Sequence, residues 1–139
     1  MHTFLRRLAL LFTLTATSLL HGQDSGEPSP AEKAFFRDLK RAVLAGDSAW
    51  VIGHVCFPVR ATVEGRTRMI ANPEELAEAY PKIMTLEAVN VVRRQAPESL
   101  VRTRQGVMVG DGEVWIGEDP AVPAGNEAKV CILAFGNSG

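Results

Sequence analysis

Apolar positions recur along this chain with two periods, and the point where the period changes divides it. Up to about residue 92 the spacing is mostly helical, with one short hairpin within it. Phe35, Phe36, Leu39, Ala42 and Val43 mark one face of a first helix. Ser29-Pro30-Ala31-Glu32 starts it, with a capping serine, a proline at the first helical position and a glutamate that closes the capping box. Gly46 is the expected stop. Asp47 caps a second short helix over about 48–55, with Trp50, Val51 and Val55 apolar, and Pro58 is expected to end it. FPVRATV and RTRMI around Glu64-Gly65 predict a hairpin over 57–63 and 66–70. Asn72-Pro73-Glu74-Glu75 repeats the start signal ahead of Leu76, Ala77, Tyr80, Ile83 and Met84. Pro81 lies inside that pattern and predicts a kink or break near Tyr80. Thr85 caps a further short helix with Val89 and Val92 inward.

From Pro97 onward the period is two. SLVRTRQGVMVG reads as one long strand, EVWIGED as its hairpin partner and AKVCILAFG as the last strand. In that last strand Cys131, Leu133 and Phe135 alternate with Val130, Ile132 and Ala134. Both sets are apolar, which predicts a central strand buried on both faces. Asp111-Gly112 predicts a type I′ loop, with Val109 opposite Val114, Met108 opposite Trp115 and Val107 opposite Ile116. Val107, Val109, Val114 and Ile116 then share one face, and Met108 and Trp115 lie on the other. Unbroken alternation puts Arg102 and Arg104 on the Met108 face; a bulge at Gly106 reverses that assignment upstream. A tryptophan and a methionine beside charges predict a contact surface or pocket rim in preference to plain core.

Helices early and strands late indicate an α+β domain. With FPVR, IANPEELAEAYPKIM and QGVMVGDGEVWIG in that order, residues 34–136 resemble exported bacterial proteins of the nuclear transport factor 2-like superfamily, the cystatin-like α+β cone. The resemblance implies helices packed in the concave face of a curved antiparallel sheet, in the order α-α-β-β-α-(α)-β-β-β, with an outer face open to a second copy. Members of that superfamily include enzymes, ligand binders and scaffolds, so the fold leaves function open.

The chain has 139 residues, a length for one domain. MHTFLRR followed by LALLFTLTATSLL has the cationic head and short apolar run of a signal peptide, and the run is too short to cross a bilayer. The expected organisation is a signal peptide over 1–22, a disordered leader over 23–30 and one domain over 31–136. The expected location is the periplasm or the medium, without stable membrane insertion after cleavage; an uncleaved anchor is the lesser alternative. Cleavage removes two arginines and no acid, so the mature part is more acidic than the formal −1 of the whole chain. No basic stripe points to nucleic acid. Cys56 and Cys131 permit a disulfide in an exported chain, but both sit in apolar runs, and two buried free thiols are the favoured reading.

Cleavage also leaves His54 as the sole histidine. A small hydrolase or isomerase of the polyketide-cyclase-like type would use it as a general base oriented by Asp47 or Glu113. No spacing fixes such a dyad, and Asp47 is better explained as a helix cap. Gly110-Asp111-Gly112 is a turn, not a phosphate loop, since no helix follows. Ser48 and Ser99 lack a nucleophile-elbow setting. Asp111, Glu113, Glu118 and Asp119 lack calcium-loop spacing, and Arg93-Arg94 is read as solvated surface. No metal or cofactor is expected. The leading reading is a non-catalytic exported domain that binds a small ligand or a protein, including a second copy in a homodimer. Trp115, Met108, Arg104 and Arg102 are its candidate contacts, with Trp50 and Tyr80 as pocket aromatics. An inhibitor or immunity protein for an exported enzyme is a further reading.

Overall fold

The structure, a computed structural model, describes residues 26–123 and 125–136. The expected signal peptide, and residues 23–25 of the expected leader, lie outside the described residues. Four helices and six strands follow one another as α1 (Pro30–Leu44), α2 (Ser48–Gly53), β1 (Val55–Val63), β2 (Arg66–Ile70), α3 (Pro73–Ile83), α4 (Leu86–Arg94), β3 (Val101–Thr103), β4 (Gly106–Val109), β5 (Val114–Glu118) and β6 (Val130–Phe135). A single 3₁₀ turn, Pro97–Ser99, precedes β3. The α+β class is as expected. The strands form one open sheet in the order β2-β1-β6-β5-β4-β3. It is mixed, not wholly antiparallel as expected, because β1 and β6 run parallel.

The helix starts follow the local chemistry. Ser29 Oγ accepts from the Glu32 N–H and Glu32 Oε1 accepts from the Ser29 N–H, completing the box. Asp47, Asn72 and Thr85 cap α2, α3 and α4 through the same third-position N–H. Three expected boundaries are corrected. Helix α2 ends at Gly53, and β1 runs on through Pro58. Helix α3 passes through Pro81 to Ile83. The proline sits in its last turn, where it removes only the bond to the Ala77 carbonyl, and Ala77 is exposed to water. Gly26 makes a two-way backbone bridge to Arg102, 3.1 Å in each direction, and Pro28 is buried.

The expected long strand over 99–110 is two strands joined by a turn at Arg104-Gln105. Thr103 Oγ1 accepts from the Gln105 N–H and donates to the Gly106 carbonyl. Gly106 has φ +126, and a Cβ there would lie 2.7 Å from the Ile116 carbonyl oxygen. The β4–β5 register is as expected. The turn is not: the Gly112 N–H bonds the Val109 carbonyl at 3.1 Å, so the reversal centres on Gly110-Asp111. A type I′ loop on 111–112 needs positive φ at both residues. Asp111 is not among the residues with positive φ, whereas Gly110 has φ +63.

One sheet face carries Val59, Ala61, Ile70, Val107, Val109, Val114, Ile116, Ile132 and Phe135, each fully buried. Phe36 and Leu39 of α1, Val51 of α2, Leu76 of α3 and Val92 of α4 pack with them in one core. Ile132 and Phe135 both face inward because a register shift sets Ile132 opposite Ile116 but Ala134 opposite Trp115. Leu133 is the extra residue of that bulge. The strict alternation expected in β6 is corrected accordingly.

Cys56 and Cys131 form a disulfide, with Cα atoms 5.7 Å apart. The reading that favoured free thiols is corrected. Parallel pairing of β1 with β6 brings together two residues 75 apart in sequence, a proximity that flanking residues do not reveal.

Candidate functional site

The face of the sheet away from the helices has a regular organisation. Residues directly opposite one another on neighbouring strands share a face. The pairings Met69–Arg60, Arg60–Ala134, Ala134–Trp115, Trp115–Met108 and Met108–Val101 therefore trace one row across all six strands. Five of its six members are apolar. The ends are open to solvent, Met69 at 57% and Val101 at 45% exposure, whereas Trp115 and Ala134 near the middle are 6% and 4% exposed. Trp115 is buried yet stands apart from the helix-facing core cluster. Two donors in the row, Arg60 Nε and Trp115 Nε1, are buried without a hydrogen-bond partner.

Trp115 and Met108 come together as expected. Arg102 does not join them. The break at Arg104-Gln105 moves it opposite Val107, on the helix-facing side, and Val101 takes the place beside Met108. Arg102 there donates through Nη2 to Glu32 Oε1, and Glu32 is completely buried. Arg104 lies in the exposed turn.

His54 occupies a different region. Its ring stacks on Trp50 at 3.8 Å between centroids and 16° between planes, with Phe35 also against both. Nδ1 donates to the Trp50 carbonyl at 2.6 Å. The Asp47 carboxylate caps α2, and Glu113 Oε2 accepts from the Asp111 N–H at 2.7 Å. Among the described residues no carboxylate is hydrogen-bonded to His54, so neither expected orienting acid serves it. Trp50 and Tyr80 pack against the helix-facing core instead of lining a cavity. Burial, and secondarily the nearby Asp47 charge, raise the Tyr80 phenol above its ordinary pKa of 10.0. Five surface clefts of about 120–290 Å³ are lined by other residues than His54, Trp50, Tyr80 and Trp115. The largest of them lies between β2 and α3, and Arg102 and Arg104 help line another at the β3–β4 turn.

No group of three metal-ligating side chains is assembled among the described residues, and none of their helices is long and apolar enough to cross a membrane. Arg60, Met69 and Val101 escaped the sequence reading. Arg60 alternates with Val59 and Ala61, which places it on the outer face, but its alignment with Trp115 depends on the β1–β6 pairing. No family model matches the chain, and no curated protein or solved structure is similar to it.

Proposed function

We propose that the chain is a non-catalytic, exported binding domain of the nuclear transport factor 2-like kind, and that its outer sheet face is the contact surface. The observation that carries this reading is the apolar row from Met69 to Val101, exposed at both ends. A protein partner laid on that row covers the exposed apolar ends. A second copy of the chain does the same. The helix-facing side of the sheet is taken up by the hydrophobic core, which leaves the outer face as the choice for a contact. The element order and the six-stranded open sheet support the family reading. Catalysis through His54 gains no support, because Asp47 and Glu113, the acids expected to orient it, bond backbone N–H groups elsewhere.

The test uses the exposed ends of the row, because Trp115→Ala removes a buried side chain and destabilises by about 3–5 kcal/mol whatever its role. Met69→Asp and Val101→Asp place a charge on the face at little cost in folding. Sedimentation equilibrium over a range of concentrations is expected to show self-association of the parent protein and its loss in both variants. A monomeric parent protein at all concentrations excludes the second copy. A parent protein that associates identically to both variants excludes the row as the contact.

A further inference from the structure

The two edges of the sheet are treated differently. A free edge exposes backbone N–H and C=O groups and accepts another strand unless it is covered. At the β3 edge the outward groups of Arg102 are filled in both directions by Gly26. Among the described residues the β2 edge has no such cover: Arg66, Thr67, Arg68 and Met69 are all exposed.

Which of its backbone groups are free follows from the hairpin. Glu64 and Gly65 both have positive φ, at 50° and 77°, and make a two-residue turn closed by the Val63–Arg66 pair. In such a hairpin the closing pair exchanges both hydrogen bonds and the pairs then alternate. Val63–Arg66 and Ala61–Arg68 are bonded pairs, so the N–H and C=O of Thr67 and Met69 point away from β1.

The side chains along this edge state what it would take. Arg66, Arg68 and buried Ile70 share the helix-facing side, and Thr67 and Met69 share the outer side. Beneath the arginines lies a cleft of about 290 Å³ lined by Arg66, Arg68 and Lys82 among others, with Glu64 and Glu78 as its acids. Lys82 pairs with Glu64 at 3.4 Å and Arg68 with Glu75 at 3.2 Å. Arg66 has no ion pair among the described residues, and Glu78 stands across the cleft on α3.

The geometry points to the β2 edge as a strand-accepting site for an extended acidic peptide segment, with carboxylates over Arg66 and Arg68 and apolar residues beside Met69. A second copy of this chain is the poorer occupant. Set antiparallel on β2 with Thr67 or Arg68 at the centre, it places arginine directly opposite arginine, which destabilises; centred on Met69 it pairs only Arg68, Met69 and Ile70 of the strand. This edge shares Met69 with the outer row, and its test turns on Arg66 and Thr67, which the test of the outer row leaves untouched.

The experiment is a titration of the ¹⁵N-labelled protein with a blocked hexapeptide of alternating glutamate and valine, against the lysine–valine peptide as control. The glutamate peptide is expected to give saturable shifts at the Thr67 and Met69 amides, and the lysine peptide to bind at least about tenfold more weakly. Arg66→Glu is expected to reverse that order. Thr67→Pro deletes one outward donor while keeping the backbone ladder to β1, and in the folded variant is expected to weaken the glutamate peptide at least about tenfold. Absence of saturable shifts at the edge amides overturns the proposal. So does equal binding of the two peptides, or full binding to a folded Thr67→Pro variant.

Discussion

Glu32 is the residue where one side chain does two jobs under complete burial. Its Oε1 accepts from the Ser29 N–H, closing the start of α1, and from Arg102, fastening β3 to that helix end. The other oxygen, Oε2, is buried without a partner. An isolated buried carboxylate is costly, and removing the partner from such a pair typically costs about 3–5 kcal/mol. Replacing the carboxylate with an amide removes the charge and keeps an acceptor for the cap. The Arg102 side chain is 37% exposed, so its guanidinium retains access to water when the pair is lost. Arg102→Ala is therefore expected to destabilise by about 3 kcal/mol or more, and Glu32→Gln by about 1 kcal/mol. Urea denaturation of both variants checks the order. Equal losses would mean that leaving the buried carboxylate without Arg102 costs no more than removing its charge.

At the level of elements, the sequence is legible where a signal and its consequence lie within a few residues. All four helix caps were readable for that reason. So was the β4–β5 register, in which apolar positions on both strands agree about the inward face. Errors arose where one short turn competed with a good alternation. The alternation carries TRQG through as one strand, yet Thr103 and Gly106 supply the hydroxyl and the positive φ that a two-residue reversal needs. The slip transferred Arg102 to the wrong face and thereby hid its partner. The Gly110 turn was misplaced for a tertiary reason: Gln95 Oε1 accepts from the Gly110 N–H at 2.9 Å, and α4 packs closely there. A Cβ at Gly110 would lie 2.1 Å from Val91 Cγ1 and 2.3 Å from Glu113 Oε2, at φ +63. Gly110→Ala is thus expected to destabilise by about 2–4 kcal/mol through strain and steric conflict together. Gly125→Ala is the control, since it has positive φ but nothing within 4 Å, and is expected to lose about 1 kcal/mol. Similar losses at the two positions, read by thermal unfolding, would show that the hairpin does not seat against α4.

In the whole molecule, β1 is the strand that joins the helical half to the late meander, and its contact with β6 is the only parallel one in the sheet. That ladder is interrupted: the register shifts between Val55 and Arg60. The disulfide lies within the interrupted stretch, at Cys56, and so clamps the seam where backbone pairing is thinnest. Its effect on stability follows from the length it closes. Residues 75 apart in sequence are held together in the unfolded chain as well, and the loop-entropy model assigns about 4 kcal/mol to that restraint. Measured disulfides commonly deliver less, so the double variant Cys56→Ala, Cys131→Ala is expected to lose about 2–4 kcal/mol. The core facing the helices contains neither cysteine, and the far-ultraviolet circular dichroism of the folded variant is therefore expected to match that of the parent protein. Reductant is expected to lower the urea midpoint of the parent protein toward that of the variant and to leave the variant unmoved. A parent protein indifferent to reductant, with titratable thiols in the folded state, would show that the seam is held by β1–β6 pairing alone.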